Sequence, residues 1–530
     1  MKIFIPAILM LLMFSFISYA QVSQEWIARY NGSENGYDGA NSIAVDGSGN
    51  SYIAGTGFVT IKYNTSGQQQ WIANYEGPAN SEEYALSLTI DSLGNVYVTG
   101  SSGGINTDND YATIKYNSAG IQQWVVRYNG STNNEDVANK IAVDNFGSVY
   151  VTGYSTDTLY NRHYATIKYN SFGVQQWVAN YNGGEARGLV IDGSGNVYVT
   201  GKSGGSGTGD DYATIKYNSS GVQQWVTRYN GPGNNTDVSN SITLDLSGNV
   251  YVNGFSSSGG SSYDITTIKY DNFGVQQWVS RYNGPLNSYG NYSPLLVDDF
   301  GNVYVTGYST GEGTGLDYAT VKYNSGGIQQ WVARYNGLAN SNDFPKAIAL
   351  DMLGSVYVTG RSNGSGGIND YATIKYSTEG VQQWVQRYGG EGGTTDGGAN
   401  SMAVLGTDVF ITGASFGIGT NYDYVTIKYS QSVGINQINS NIPDKLNLSQ
   451  NYPNPFNPTT NIEFSLPEKS IVKLKVFDIT GKEVAELVNE NLSPGTFRYE
   501  FNAENLPSGL YFCKFETNEL SETKRMILIK

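Results

Sequence analysis

The stretch DYATVKYNSGGIQQWVARYN, residues 317–336, recurs with small changes through most of the chain. Each copy carries one tryptophan at the same position, and successive tryptophans lie 45 to 53 residues apart. These residues, which are all eight tryptophans of the protein, are Trp26, Trp71, Trp124, Trp177, Trp225, Trp278, Trp331 and Trp384. A period near fifty residues is typical of propellers and other repeat arrays.

The repeat unit reads as four short β-strands. In residues 140–181, four runs rich in β-branched and aromatic side chains are separated by Gly, Asn, Asp and Ser. We label them strand a (140–144), strand b (148–153), strand c (163–169) and strand d (175–181). An Asp with Gly three positions on marks a tight a–b turn, because Asp bonds the turn backbone and Gly accepts a positive φ. Four strands per repeat predict the blade of a β-propeller.

Strand d, which carries the tryptophan, is out of phase with strands a, b and c. Strands a, b and c each occur eight times, but the first Trp strand, 24–30, precedes any strand a. The last set ends at Tyr429 with no Trp strand behind it. We therefore predict an all-β, eight-bladed propeller of four-stranded blades, closed by the N-terminal strand that carries Trp26. The rival closing strand is GINQIN at 434–439, in which Ile438 replaces the tryptophan.

The segment VDDFGNVYVTGYS at 297–309, followed by DYATVKYN, resembles the SBBP β-propeller repeat of bacteria. The resemblance covers roughly residues 24–430. It implies a propeller in an exported protein and no defined activity. The family's name refers to seven blades, whereas the repeats counted here number eight.

Composition excludes several classes of function. The formal net charge of −15 disfavours nucleic acid, whose phosphates it would repel. A single cysteine, Cys513, rules out an intramolecular disulfide bond. A single histidine, His163, argues against zinc sites and histidine-based triads. We expect no cofactor, with Ca²⁺ as the one alternative considered below.

Residues 1–20 read as a secretory signal peptide. Lys2 is followed by an apolar run, and Ser18, Tyr19 and Ala20 end it with the residues expected before a cleavage site. The alternative is a membrane anchor, but the apolar run is short for a span of about 20 residues. No later stretch is apolar enough to cross a membrane, so we expect no transmembrane segment in the mature chain.

Strand alternation gives the predicted propeller two different faces. The tight a–b and c–d turns, which hardly vary between repeats, lie on one face. The b–c and d–a connections lie on the other and vary in length and sequence, as in 101–110, 154–163 and 202–211. Binding residues are usually found on variable loops held by a rigid scaffold. The long-loop face is therefore the candidate binding surface.

Acidic residues recur just before strand a, where they would surround the mouth of a central channel. They are Asp38, Glu83, Asp136, Glu185, Asp237, Asp343 and Asp396; Gly290 takes the place in the sixth repeat. Three interpretations stay open. The acids could cap the loop backbone, could attract a cation such as Ca²⁺ or a cationic ligand, or could supply an acid–base pair for glycan chemistry.

The basic residues of the repeat are as regular as the tryptophans. A lysine recurs on strand c, and an arginine recurs on strand d except in two repeats, which have Asn74 and Asn180. Because a binding site seldom needs the same residue in every blade, we interpret both series as packing between blades. His163 takes a position that other repeats give to Asp, and we interpret it as surface variation.

The repeat stops after Tyr429. Residues 431–445 read as a polar linker, and 446–530 as a small Ig-like β-sandwich with strands at 460–466, 471–479, 496–501, 510–515 and 523–529. Four motifs, NYPNPFNPTT (451–460), VKLKVFDITGKEV (472–484), LPSGLYFCKF (506–515) and KRMILIK (524–530), closely resemble the type A C-terminal sorting domain of the type IX secretion system. The resemblance implies recognition of 446–530 by an outer-membrane translocon in a Bacteroidota-like envelope. It also implies a product that is released or fixed to the cell surface.

These observations predict an exported propeller, 21–430, that carries its own sorting domain. The favoured function is a non-enzymatic binding or adhesion scaffold whose ligand is a glycan or a surface protein. The alternatives are a carboxylate-dependent enzyme acting on polysaccharide and a structural surface-layer protein. The sequence identifies neither the ligand nor the oligomeric state.

Overall fold

The computed structural model describes residues 22–530 except 33–34, 80–81, 206, 260–261, 287–293, 365–366, 391–396, 432–434, 440–441 and 504–505. The predicted signal peptide therefore lies outside the described residues. The chain divides into two compact units, of which one is Gln24–Ser430 and the other includes Gln431–Lys530. The described residues form strands and turns, and none of their segments is a helix capable of crossing a membrane.

The described part of Gln24–Ser430 forms eight four-stranded antiparallel sheets, as expected of propeller blades. Sheet 1 contains β2 (Ala40–Val45), β3 (Ser51–Gly55), β4 (Val59–Tyr63) and β5 (Gln69–Asn74). Sheet 2 contains β6 (Tyr84–Ile90), β7 (Val96–Gly103), β8 (Asn109–Tyr116) and β9 (Gln122–Tyr128). Sheet 3 contains β10 (Asp136–Val143), β11 (Val149–Thr156), β12 (Arg162–Tyr169) and β13 (Gln175–Tyr181). Sheet 4 contains β14 (Gly184–Ile191), β15 (Val197–Gly204), β16 (Asp210–Tyr217) and β17 (Gln223–Tyr229).

The next three sheets repeat the same connectivity. Sheet 5 contains β18 (Val238–Leu244), β19 (Val250–Gly259), β20 (Ser262–Tyr270) and β21 (Gln276–Tyr282). Sheet 6 contains β22 (Leu295–Val297), β23 (Val303–Gly311), β24 (Gly315–Tyr323) and β25 (Gln329–Tyr335). Sheet 7 contains β26 (Phe344–Leu350), β27 (Val356–Asn363), β28 (Asn369–Tyr376) and β29 (Gln382–Tyr388). In each sheet the four strands are strands a to d of the sequence repeat.

Sheet 8 is assembled from both ends of the repeat region. Its strands a, b and c are β30 (Gly398–Leu405), β31 (Asp408–Phe416) and β32 (Tyr422–Gln431), and the fourth is β1 (Val22–Tyr30), which lies beside β32. The rival stretch lies elsewhere, because β33 (Ile435–Asn439) pairs with a strand of the second unit. This strand falls within the segment that the sequence predicts to be a linker.

Strand a is longer than its sequence pattern indicates. In sheet 3 the pattern predicts 140–144, whereas β10 spans Asp136–Val143. The pairing with β11 shifts register between Ala138 and Lys140, so Asn139 is an extra residue in the ladder. Such a β-bulge breaks the alternation of inward and outward side chains that identifies a strand in a sequence. The same shift occurs in strand a of every sheet except sheet 6, whose described strand begins later.

The core of this unit lies between successive sheets. Tyr97 and Tyr111 of sheet 2, for example, are buried with Val149, Val151 and Ile167 of sheet 3 in one cluster. These residues come from strands b and c, which are buried almost throughout. An equivalent cluster joins the last sheet to the first, because Phe410 and Tyr424 of sheet 8 pack with Ile53, Ile61 and Tyr63 of sheet 1.

The second unit contains two four-stranded antiparallel sheets. One holds β33, β34 (Asn447–Leu448), β35 (Thr459–Leu466) and β38 (Gly495–Asn502). The other holds β36 (Ser470–Asp478), β37 (Glu483–Leu492), β39 (Gly509–Glu516) and β40 (Ser521–Leu528). Both contribute to one hydrophobic cluster, which includes Phe464, Val476, Phe515 and the buried Cys513. The five predicted strands are confirmed to within two residues, and β37 was missed because two register shifts in its pairing with β36 interrupt its alternation.

Candidate binding surface

The a–b turns are rigid because their aspartates hold the turn backbone. In sheet 5, Asp245 Oδ1 accepts from the backbone N of Ser247 and of Asn249, each at 2.9 Å. Its Oδ2 accepts from the Tyr251 hydroxyl at 3.0 Å, and Gly248 has a φ of 79°. The interpretation of this Asp as a structural turn residue is confirmed. Since neighbouring strands are antiparallel, the a–b and c–d turns lie together at one end of each sheet, and the variable connections lie at the other.

Arginines on strand d link adjacent sheets. The Arg334 guanidinium donates to Asp317 Oδ2 at 2.9 Å within sheet 6 and to the Tyr282 hydroxyl of sheet 5 at 3.1 Å. The same pair with a carboxylate of strand c occurs in six sheets: Arg29–Asp423, Arg127–Asp110, Arg228–Asp211, Arg281–Asp264, Arg334–Asp317 and Arg387–Asp370. The sequence prediction that these arginines serve packing between blades is confirmed.

The lysine and tryptophan series also contact neighbouring side chains of the scaffold. Lys115 Nζ lies 5.1 Å from the centre of the Tyr97 ring, a cation–π arrangement that recurs in the other sheets. Trp124 Nε1 donates to the Ser171 carbonyl in the c–d turn of the next sheet, at 3.1 Å. Trp26 repeats this contact between sheets 8 and 1, with its Nε1 3.0 Å from the Thr65 carbonyl.

His163 and Asn180 of sheet 3 replace the Asp and Arg of the pair together. His163 Nδ1 accepts from the Gly183 backbone N at 3.0 Å, and Nε2 lies 3.1 Å from Asp157 Oδ2. The hydrogen bond from His163 and those from Asn161 and Leu159 lower the pKa of Asp157. In sheets 1 to 7 the two positions lie 17 residues apart in sequence, and sheet 1 also lacks both charges, with Gly57 and Asn74. This joint variation is the signal in the sequence that identifies the two positions as partners.

The recurrent acids before strand a bind the backbone of their own loops. Asp237 is fully buried, and its two oxygens accept from the backbone N of Gly231 at 2.6 Å and of Ser257 at 2.7 Å. The glycine that lies six positions earlier makes the same bond in four other repeats, to Asp38, Glu83, Asp136 and Asp343. These contacts fit the capping interpretation of the acids. Asp396 lies outside the described residues, and no group of three or more potential metal-ligating side chains occurs in the described ranges.

Burial raises the pKa of Asp237, although the hydrogen bonds from Gly231, Ser256 and Ser257 oppose the shift. The folded chain therefore holds this proton more tightly than the unfolded chain. The measurement is the thermal midpoint of wild type and of Asp237→Asn over a pH series. We expect the stability of wild type relative to the variant to fall as the pH rises from about 4 through the raised pKa of Asp237.

The matched control is Asp245→Asn. Burial alone would raise the pKa of Asp245, but hydrogen bonds from Asn249, Tyr251 and Ser247 outweigh it and lower the pKa. The stability of wild type relative to Asp245→Asn should therefore fall as pH drops below about 4. Equal pH dependence in the two variants would contradict the assigned environments.

Glu185 is the exception among the acids. It is 5% exposed and lies between two arginines, with its carboxylate 2.7 Å from Arg162 Nη1 and 2.6 Å from Arg187 Nε. Burial opposes its ionisation, but Arg187 and Arg162 outweigh burial and lower its pKa. The Arg162 guanidinium also lies 4.0 Å from the centre of the Tyr154 ring.

The a strands of all eight sheets line one central cavity of about 810 Å³. The extra residue of each β-bulge points into it: Asn41, Leu86, Asn139, Arg187, Asn240, Lys346 and Asn400. Four of these seven residues are asparagine, and Leu86, Arg187 and Lys346 depart from it. Of the recurrent acids, only Glu185 is part of the described lining.

Hydrogen bonds around this cavity tie several of the sheets to their neighbours. The Asn139 amide donates to the Ala186 carbonyl at 2.8 Å, and Asn400 donates to Ala40 at 2.9 Å. Ser42 Oγ accepts from the Leu88 backbone N at 3.1 Å. Where the bulge residue is Arg187, its guanidinium instead donates to Asn240 Oδ1 at 3.0 Å. The bulges thus set both the inner contacts of the sheets and the chemistry of the cavity wall.

Comparison with known proteins agrees with both resemblances found in the sequence. The family model described as Beta-propeller repeat matches residues 79–106, 123–161, 224–260, 277–313 and 330–367. The model described as Secretion system C-terminal sorting domain matches residues 450–530. No curated protein matches the chain in sequence.

Several solved structures share parts of the fold at low identity. PorZ, a surface component of the type IX secretion system of Porphyromonas gingivalis, is 11% identical, with 93% of this chain and 81% of PorZ covered and a TM-score of 0.25. The polysaccharide lyase Uly1 is 10% identical, and the match covers 69% of this chain and 93% of the lyase with a TM-score of 0.40. A Dyadobacter fermentans protein of unknown function is 9% identical, and the match covers 65% of this chain and 93% of that protein with a TM-score of 0.36. At these values none of them informs the function of this chain.

The repeated four-stranded sheets agree with the match to a beta-propeller repeat. The chain carries repeats of the bacterial β-propeller family and ends in a type IX secretion system C-terminal sorting domain.

Proposed function

We propose that the protein is an exported, non-enzymatic binding scaffold. Residues 21–430 form a closed eight-bladed propeller, and residues 446–530 form a small Ig-like sandwich read by the type IX machinery after removal of residues 1–20. The sorting domain implies export to the cell surface or secretion. The ligand binds on the face of the b–c and d–a connections.

Three observations support the closed ring. β1 lies beside β32 in sheet 8, and Trp26 contacts sheet 1 as the other tryptophans contact their next sheet. In the loop before β2 of sheet 1, the backbone N of Asp38 also donates to the Tyr422 carbonyl of sheet 8, at 2.7 Å. Closure packs the first and last sheets against each other, and such radial arrays leave only short, protected sheet edges.

The binding role is supported by the contrast between the constant residues at one end of the sheets and the variable loops at the other. Arg–Asp–Tyr links and turn aspartates repeat across the scaffold, whereas the connections at the other end differ in length and sequence between sheets. A rigid frame with variable loops is the usual arrangement of a recognition surface. Five of the recurrent acids bond loop backbone, which supports a structural role for them rather than acid–base catalysis.

The test is incubation of the secreted protein with a panel of bacterial, algal and plant polysaccharides, following protein retention and polymer length together. We expect retention on at least one polymer with no change in its length. Shortening of a polymer would contradict the non-enzymatic role and make the acids candidate catalysts. Absence of retention on every polymer, together with ordered lattices of the purified protein, would favour the surface-layer alternative.

A further inference from the structure

The central cavity has a charge opposite to that of the whole chain. The charged residues in its described lining are Lys140, Arg162, Glu185, Arg187 and Lys346. Four of these are cationic and one is anionic, which gives the lining a formal charge of +3 (four minus one), whereas the chain carries −15. A cavity lined by one sign of charge concentrates ligands of the other sign, because its low-dielectric walls focus the field.

The cations of sheets 3 and 4 are only partly neutralised. Arg162 pairs with Glu185 and with Glu135, which is not part of the lining, and Arg187 pairs with Glu185. Lys140 follows the bulge of sheet 3, and its side chain is exposed to the cavity. No ion pair or hydrogen bond of its ammonium occurs among the described residues, and the surrounding walls lower the pKa of Lys140 by shielding it from bulk water.

A further cation enters from sheet 7, four sheets along the array. Lys346 occupies the bulge position there, and burial and the neighbouring Arg361 lower the pKa of Lys346. In sheets 1, 3 and 8 the equivalent residue is an asparagine whose amide bonds the next sheet. Lys346 therefore stands where four other sheets have an asparagine, and it places a charge in the cavity lining.

The rest of the lining combines polar and apolar groups. Ser42, Ser241 and Ser401 contribute hydroxyls, and Leu189, Ile242 and Ile348 contribute apolar surface. Sugar rings present hydroxyl edges and apolar faces, so this mixture suits a saccharide. The cavity volume of about 810 Å³ also lies within the range of about 300–1,000 Å³ usual for small-ligand sites.

We propose that the cavity binds a carboxylated oligosaccharide, with carboxylates at Lys140 and at Lys346 and sugar hydroxyls at the serines. The proposal deepens the proposed binding role and rests on it, since the ligand enters from the long-loop face. Glu185 orients Arg162 and Arg187 on one wall. Successive carboxylates on one oligomer allow a single ligand to meet cations that belong to different sheets.

The experiment measures binding of trigalacturonate to the full secreted chain by calorimetry. The neutral methyl ester of the same trisaccharide and inorganic phosphate are the comparison probes. The variants are Lys140→Gln and Lys346→Gln, and the control is Lys202→Gln. Lys202 pairs with Asp210 at 3.1 Å near the same face but is not part of the cavity lining.

We expect the acid trisaccharide to bind, the ester to bind at least about tenfold more weakly, and each cavity variant to lose about tenfold in affinity. Lys202→Gln should bind as wild type does, and binding should weaken as salt rises from about 20 to about 200 mM. Equal binding of acid and ester, or wild-type affinity in both cavity variants, would overturn the proposal. Phosphate binding as tight as that of trigalacturonate would overturn the assignment to a saccharide.

The two proposals fail in different ways. Retention on neutral polysaccharides without binding of trigalacturonate overturns only the cavity site. Absence of retention on every polymer overturns the polysaccharide-binding role. The calorimetry then shows separately whether the cavity binds trigalacturonate. Thermal unfolding of each variant shows whether a loss of affinity comes from a loss of folding.

Discussion

Replacing Trp26 with alanine is expected to destabilise the unit Gln24–Ser430 by about 2 kcal/mol, less than the about 3–5 kcal/mol of a fully buried tryptophan, because Trp26 is partly buried. Trp26 lies 6.2 Å from the Tyr63 ring of sheet 1 and 6.1 Å from the Phe410 ring of sheet 8, measured between ring centres. Its Nε1 donates to the Thr65 carbonyl. The substitution removes all three contacts at the junction where the two ends of the repeat region meet.

The matched comparison is Trp177→Ala, measured by thermal unfolding beside wild type and Trp26→Ala. Trp177 has equivalent contacts inside the array, with Nε1 3.1 Å from the Ser219 carbonyl and its ring 6.4 Å from that of Tyr217. In a closed ring the two junctions are alike, so both variants should melt at similarly lowered temperatures. A Trp26→Ala variant that melts as wild type does, while Trp177→Ala does not, would refute the closed ring.

Replacing Arg334 with alanine is the second substitution with a large expected effect, about 2–3 kcal/mol in the free energy of unfolding. Removing one partner of a buried ion pair costs about 3–5 kcal/mol, and we expect less because the Arg334 side chain is 24% exposed. Asp317, at 5% side-chain exposure, would lose its guanidinium partner. The bond to the Tyr282 hydroxyl of sheet 5 is lost as well.

Two further variants make this prediction specific. In Asp317→Ala/Arg334→Ala the unpaired carboxylate is absent, so the double variant should cost less than the sum of the two single variants. Lys202→Ala breaks the more exposed pair with Asp210, and such surface pairs contribute only about 0–1 kcal/mol. Additive single variants would contradict a stabilising Arg334–Asp317 pair, and an equal loss in Lys202→Ala would show that the burial of this pair adds nothing to its effect.

Local patterns in the sequence were sufficient to predict strands b, c and d and the structural roles of the repeated arginines and lysines. Runs rich in β-branched and aromatic residues, bounded by Gly, Asn, Asp or Ser, identify these strands without any tertiary information. The turn aspartates were also predictable, since an Asp with a glycine three positions on satisfies a local backbone requirement. The same holds for the C-terminal motifs, whose strands need only local alternation.

The chemistry of the candidate site depends on the tertiary structure. Strand a was predicted too short because a β-bulge at Asn139 and its equivalents breaks the period, and those bulge residues are the ones that line the cavity. The acids were expected around the channel mouth, but whether they face it depends on the fold of the preceding loop, as Asp237 and Gly231 illustrate. Lys140 and Lys346 lie 206 residues apart in sequence (346 minus 140) and share a cavity only because the a strands of all eight sheets do. Local periodicity therefore fixes which residues form strands, whereas the convergence of distant strands fixes which charges share one cavity.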